Sequence, residues 1–420
     1  METHLADFIR DTPDGKEAEA ILRACVHCGF CTATCPTYQL FGDELDGPRG
    51  RIYLIKQVLE GATPGAKTRL HLDRCLTCRA CETTCPSGVH YSRLLDIGRG
   101  VVEAKVPRHG GDALARGVLK ELLPRAGLFG PVVKLGRHLR PVLPAALQAK
   151  VPPVRAAGAW PAPTTGRRML TLAGCVQPAM LPDINPAAAR VLARLGIALG
   201  EIAEAGCCGA VRQHLGDADG ARQDARRNID AWWPEIEKGV EAIVITASGC
   251  GVQIKDYGHL LRQDARYAAK AERVAALAKD VAEVVAAEAE RLRPLLASPA
   301  GAESTPIAFH SPCTLQHGLK IRGVVEPLLA AAGFELLPVA DGHSCCGSAG
   351  TYSVLQADIA NRLRDDKLAA LSAGRPQAIA SANVGCIAHL QSGSRIEVRH
   401  WIELIDQRLR RDQSVPTVRE

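Results

Sequence analysis

Aromatic side chains are scarce in this chain of 420 residues: Phe, Tyr and Trp together make up 4%. Its cores must be packed from Ala, Val, Leu and Ile, which the 47% hydrophobic content can supply. No run of 18 or more apolar residues is present, so no membrane-spanning helix is expected. Residues 1–10 carry neither an apolar secretory segment nor a twin arginine. A glycine-rich dinucleotide fingerprint is missing as well. GCGVQIKDYG at 249–258 follows an expected strand but lacks G-x-G-x-x-G, so no flavin or nicotinamide site is expected. The net charge of +6 is too mild to argue for a nucleic-acid partner.

Cysteine is abundant. Sixteen cysteines in a chain without secretory features point to a reducing cytoplasm, where clustered thiols bind metal more often than they form disulfides. Eight lie between Cys25 and Cys85 and eight between Cys175 and Cys386, with none in between. The expected organisation is therefore multidomain, α followed by α/β. It comprises a helical domain over 1–110, a basic proline-rich connection over 111–165, and two duplicated α/β domains over 166–300 and 301–420.

In the first half, residues 16–25, 49–61 and 90–104 read as amphipathic helices. Two runs frame the chemistry: Cys25-x2-Cys28-x2-Cys31-x3-Cys35-Pro36 and Cys75-x2-Cys78-x2-Cys81-x3-Cys85-Pro86. Two-residue gaps let one tight loop offer three thiolates to three corners of a [4Fe–4S] cubane. In two-cluster ferredoxins the fourth cysteine of such a run binds the other cluster. That pattern pairs Cys25, Cys28, Cys31 and Cys85 around one cluster, and Cys75, Cys78, Cys81 and Cys35 around the second. Zinc needs one set of four ligands, not two sets each followed by proline. The 39 residues between Cys35 and Cys75 exceed the gap in a compact ferredoxin and favour the helical type of respiratory subunits.

The second half repeats itself. Cys175 and Cys313 are 138 residues apart, Cys207 and Cys345 are 138 apart, and Cys250 and Cys386 are 136 apart. Each copy alternates strand and helix, which implies a mostly parallel sheet. GCCGA is expected to open a long helix ending near Lys238, and residues 262–296 to form one extra Ala-rich helix between the copies. Each copy places cysteines at the ends of strands, where open parallel sheets gather functional groups. One metal site per copy is expected, from Cys175, Cys207, Cys208 and Cys250 and from Cys313, Cys345, Cys346 and Cys386. The bland alternative is that these thiols are small buried hydrophobes. His389 is a candidate extra ligand, and His310, His317 and His343 are candidate proton relays to an acceptor. Trp232 and Trp233 read as core. The connecting region is basic from Leu119 to Arg168, with Glu121 its only acid. It reads as a linker, or as a surface for anionic lipid or a partner subunit.

This half resembles the cysteine-rich CCG domains of heterodisulfide reductase. Their pattern ends in Cys-x-x-Cys, whereas here Gln253 and His389 occupy the last position. The departure argues against a noncubane cluster and disulfide chemistry, and leaves a four-thiolate cluster or another metal open. Taken with ACVHCGFCTATCPTYQLFGDELDGPRGRIYLIKQVLEG, HLDRCLTCRACETTCPSGVHY and AGCVQPAMLPDINPAAARVLARLGI, the chain resembles the iron–sulfur subunits of bacterial glycolate oxidase. The resemblance implies electron transfer from FAD-containing partner subunits, which oxidise glycolate to glyoxylate, to a quinone or other acceptor. It also implies a peripheral position on the cytoplasmic face of the inner membrane. The subunit of a D-lactate or glycerol-3-phosphate dehydrogenase, a thiol–disulfide reductase and a cluster-based sensor remain as alternatives.

Overall fold

The structure, a computed structural model, describes residues 1–142, 153–162, 166–296 and 304–411. The domain limits expected at 165 and 300 lie outside these residues. The first 142 residues are helical, with no strand among them. The helix Pro13–Ala24 starts three residues before the expected one, because Thr12 caps it by accepting from the Gly15 N–H. Pro48–Leu59 and Tyr91–Lys105 bury Ile52, Ile55, Val58, Leu94, Leu95 and Val102 against each other and against Ile21 and Leu22. This small core backs directly onto Cys25 and Cys81.

The connecting region is more regular than a linker. It forms two helices, Gly110–Leu122 and Ala126–Leu139, the second carrying Pro131 inside it. Val133 is buried, whereas Leu128, Val132, Leu135 and Leu139 are exposed along one side of the second helix. No helix among the described residues is long and apolar enough to cross a membrane.

Each copy of the duplication forms a four-stranded, all-parallel sheet. In the first, β1 (Arg167–Thr171) lies between β2 (Ile197–Glu201) and β3 (Ile243–Ile245), and β4 (Ala278–Asp280) pairs outside β3. In the second, β5 (Thr305–His310), β6 (Phe334–Leu337), β7 (Ala378–Ser381) and β8 (Glu397–His400) repeat the order β6-β5-β7-β8. The strand β3 is apolar throughout, as a strand covered by helices on both faces is expected to be; Ile243, Val244 and Ile245 are all buried.

Two expectations need correction. GCCGA opens only the short helix Ala210–His214. The long helix is a separate one, Ala218–Glu237, capped by the Asp217 carboxylate, which accepts from the Gly220 N–H. The Ala-rich 262–296 run is not one helix: Ala268–Leu277 ends where Ala278–Asp280 pairs with β3, and Val281–Ala287 and Ala289–Leu296 follow. Tertiary pairing overrides the helical propensity of those alanines.

The two copies share one apolar core. The helix Ile184–Arg194 of the first packs on Trp401–Arg411 of the second, and Arg190 pairs with Asp406 at 2.8 Å. Trp232 is fully buried in a separate core of the first copy, and the half-buried Trp233 packs against the same core. Replacing Trp232 by Ala should cost about 3–5 kcal/mol of stability, the usual range for emptying a large buried aromatic site. Chemical denaturation of the full-length chain followed by circular dichroism checks this, and a loss under about 1 kcal/mol contradicts the packing described.

Candidate metal centres

The two ferredoxin-type runs fold alike. His27 and Gly29 in the first run have φ of 58° and 87°, and Thr77 and Arg79 in the second have 53° and 59°. These four residues sit at matching places between the cysteines, so each run turns left-handed twice. Thr77 is β-branched and pays for that conformation. The turning presents successive thiols to one side of the loop.

Two neighbouring cavities result. One, of about 440 Å³ and open at the surface, is lined by Cys25, Cys28, Cys31, Cys81 and Cys85. The other, of about 390 Å³, is lined by Cys35, Cys75, Cys78 and Cys81. Pro48, Cys81 and Tyr91 border both. Each cavity thus gathers three cysteines of one run and the last cysteine of the other. No disulfide links any of the sixteen cysteines.

The donor sets fit an iron–sulfur group. Burial pushes the Cys31 thiol up to about 11, with Cys25 adding to it. Burial likewise drives Cys78 and Cys81 well above the ordinary thiol range. Such groups stay protonated unless cations stabilise the thiolates, and iron supplies that charge. The Tyr91 hydroxyl is buried between the cavities and faces Cys75, where it is placed to donate to sulfur.

A buried ionic knot supports the second cavity. Arg51 is 1% exposed, donates Nε–H to the His71 carbonyl at 2.7 Å and lies 3.5 Å from Asp46. Asp46 also meets Arg74 at 2.7 Å and His71 Nδ1 at 3.0 Å. Thr37 donates to the Asp46 carbonyl at 2.7 Å, beside Cys35. Burial acts to lower the Arg51 pKa, but Cys75, Tyr91, Cys35 and Asp46 outweigh it, and the guanidinium stays charged. Sequence reading missed this knot: an Arg inside an amphipathic helix looks like a surface residue.

In the duplicated half the cysteines of each copy meet. Cys207 accepts from the Gly209 N–H at 3.4 Å, and Cys345 from the Gly347 N–H at 3.4 Å. Gly209 and Gly347 have φ of 92° and 83°, and a Cβ there would lie 3.0 and 2.4 Å from the Ala221 and Ala360 carbonyl oxygens. That close approach is why glycine follows each Cys-Cys pair. Cys250 and Cys386 do not end strands; they lie in the first turns of Ser248–Lys255 and Val384–Gly393. In the first copy, thiol hydrogen bonds from Cys175 and Cys208 draw Cys207 down, while the same contacts and burial push Cys175 and Cys208 up. Cys313 and Cys345 approach to 3.9 Å in the second.

The histidines separate. His389 Nε2 is 3.1 Å from the Ala360 carbonyl oxygen, so that nitrogen faces backbone. His317 Nδ1 lies 3.1 Å from the Thr83 hydroxyl of the ferredoxin domain, and its Nε2 is 3.2 Å from the His343 carbonyl oxygen. His343 itself is half-buried. His310 is fully buried, which pushes it down to about 3 with help from Lys367 and keeps it neutral.

The ferredoxin domain touches the two copies differently. Towards the first the contacts are ionic: Arg79 and Arg93 meet Asp256 at 2.9 and 3.0 Å, and Arg262 meets Glu17 at 3.0 Å. Towards the second, beside the Thr83–His317 contact, lies an apolar and sulfur-rich patch. Leu76, Cys345, Tyr352, Ile359 and Leu363 form one buried cluster, with Cys78 and Cys313 packed against it.

Fold and thiol sets define an iron–sulfur protein. A 4Fe-4S dicluster domain matches residues 21–89, and a cysteine-rich domain matches residues 169–255 and 307–391. The chain is 53% identical to the glycolate oxidase iron-sulfur subunit of Escherichia coli over 98% of this chain and all of that one. It is 30% identical to a probable glycolate oxidase iron-sulfur subunit of Bacillus subtilis over 89% of each. Lactate utilization protein A of Bacillus velezensis is 25% identical over 56% of this chain and 97% of its own. The chain belongs to the family of glycolate oxidase iron-sulfur subunits, and the dicluster domain gives it [4Fe–4S] clusters as cofactors.

Arg51→Met should leave Asp46 buried with less compensation and cost about 3–5 kcal/mol. The melting temperature of the cluster-loaded chain measures it; an unchanged melting point contradicts the role given to the knot.

Proposed function

We propose that this chain is the electron-carrying subunit of a glycolate-oxidising complex. In this reading FAD-containing partner subunits oxidise glycolate to glyoxylate, and this chain delivers the electrons to a quinone or another acceptor. Cys25, Cys28, Cys31 and Cys85 hold one [4Fe–4S] cluster, and Cys75, Cys78, Cys81 and Cys35 hold the second. Cys175, Cys207, Cys208 and Cys250 form a third metal site, and Cys313, Cys345, Cys346 and Cys386 a fourth. When bound, iron–sulfur clusters supply reversible one-electron exchange with little atomic movement.

The observation that carries the reading is the packing of Cys78 and Cys313 on the cluster that contains Cys345. It supports a close approach between the second ferredoxin-type run and the second copy's cysteines. The chain's own residues do the rest. The apolar core excludes water from Cys25 and Cys81, and Arg51 keeps positive charge beside Cys35 and Cys75.

A position at the cytoplasmic face of the inner membrane is supported by the helix Ala126–Leu139. Its exposed Leu128, Val132, Leu135 and Leu139 lie among the cationic Arg125, Lys134 and Arg140, a composition suited to anionic lipid. A second substrate reading, lactate, is favoured by the shared portion of lactate utilization protein A, but that match covers 56% of this chain.

Two measurements test the proposal. Anaerobic iron analysis should give about eight irons per chain with the ferredoxin domain alone loaded and about sixteen with four cubanes; about four or fewer contradicts it. Cys28→Ser should abolish most glycolate-dependent reduction of a quinone by the assembled complex, and full activity in that variant sinks the electron-carrying role.

A further inference from the structure

His310 ends β5, and its side chain is 1% exposed. Its Nδ1 lies 2.9 Å from the hydroxyl of Ser381, the residue that faces it in register on β7. Its Nε2 has no hydrogen-bond partner. A buried polar atom left unpaired costs about 1–3 kcal/mol, a cost that a bound ligand would remove. A ring nitrogen of His310 and the sulfurs of Cys346 and Cys386 lie within 4.8 Å of one another, and all three residues are buried.

The duplication sharpens this. The 138-residue offset sets Leu172 against His310. In the first copy Leu170 faces Ile243 and Thr171 faces Val244, so the next pair is Leu172 beside Ile245. Both are buried. One copy fills this position with two aliphatic side chains, and the other fills it with an imidazole and a hydroxyl. Packing alone is met by the aliphatic pair, so the polar pair answers a different demand.

We propose that the second copy binds a single divalent ion of zinc or ferrous type, with His310 Nε2, Cys346 Sγ and Cys386 Sγ as three of its ligands. The inference rests on the reading that this copy is a metal site, and it adds a ligand outside the four cysteines. Around one tetrahedral ion, sulfur sits at about 2.3 Å and imidazole nitrogen at about 2.0–2.1 Å, so the ligand atoms crowd together. A cubane places a separate iron under each thiolate and spreads them further. Among the described residues, no three ferredoxin-type cysteines come as close together as this group does. Ser381 acts as the positioning residue: with Nδ1–H donated to its hydroxyl, the Nε2 lone pair is free for metal. Asn383 Nδ2 donates to Cys386 Sγ at 3.3 Å and supports the thiolate. One of Cys313 and Cys345, which lie 3.9 Å apart on the side facing Cys78, supplies the fourth ligand.

The test uses the full-length chain, purified anaerobically, stripped at the labile site and reloaded in separate arms with zinc alone or ferrous iron alone. Elemental analysis compares wild type with His310→Leu, His310→Cys and Cys386→Ser. Circular dichroism and the ferredoxin EPR signals serve as controls for folding. The expected result is loss of one metal equivalent in His310→Leu and Cys386→Ser, and its retention in His310→Cys. In the zinc arm, X-ray absorption should show a nitrogen neighbour at about 2.0–2.1 Å in wild type that His310→Cys lacks. If His310→Leu keeps its full metal while Cys386→Ser loses it, the histidine ligand is overturned and the metal site stands. If neither loses metal, or if wild type takes up none in either arm, both fall.

Discussion

Sulfur anions cannot be buried without positive charge beside them, and the structure is arranged around that constraint. Nine of the sixteen cysteines are buried. Taken as bare thiols, most of these groups resist ionisation, through burial in the ferredoxin cavities and through contacts with neighbouring thiols together with burial in the second sheet. Iron or another cation removes the penalty, so metal loading and the stability of these regions are linked. The same logic explains Arg51. A guanidinium at 1% exposure is costly in isolation, and here it is held by Asp46, by the His71 carbonyl and by the charge of the thiolates it faces.

Placement turns these charge sets into a conductor. The ferredoxin domain offers ionic contacts to the first copy and an apolar, sulfur-bearing patch to the second. Duplication produced two sheets of one topology, fused through the helices Ile184–Arg194 and Trp401–Arg411. The copies then diverged where it matters: Leu172 and Ile245 occupy the place of His310 and Ser381. The first copy keeps its own thiol set, and the second sits against the ferredoxin cysteines.

Much of this was legible from sequence. Cysteine spacing alone marked both ferredoxin-type runs, the duplication and the four thiol sets, because thiol geometry is local and periodic. Strand–helix alternation gave the parallel sheets. What escaped depends on tertiary pairing. Ala278–Asp280 lies in an Ala-rich stretch that reads as helix and becomes a strand only because β3 offers it an edge. Arg51 reads as a surface residue until Asp46 and Thr37 close over it. Cys250 and Cys386 were expected at strand ends and lie in helical first turns, a shift of a few residues that pattern reading does not resolve. His310 was picked out only as a neighbour of cysteines; its register with Ser381 and its orphaned nitrogen are features of the fold.

The central claim is that two [4Fe–4S] clusters occupy adjoining cavities that share Cys81 and Tyr91 as walls. Paramagnets that close interact magnetically. EPR of the anaerobic chain, reduced stepwise, tests this most directly. The account predicts a simple spectrum when one cluster is reduced, giving way to a broadened and split spectrum when both are. A fully reduced spectrum that is the plain sum of two independent signals contradicts it.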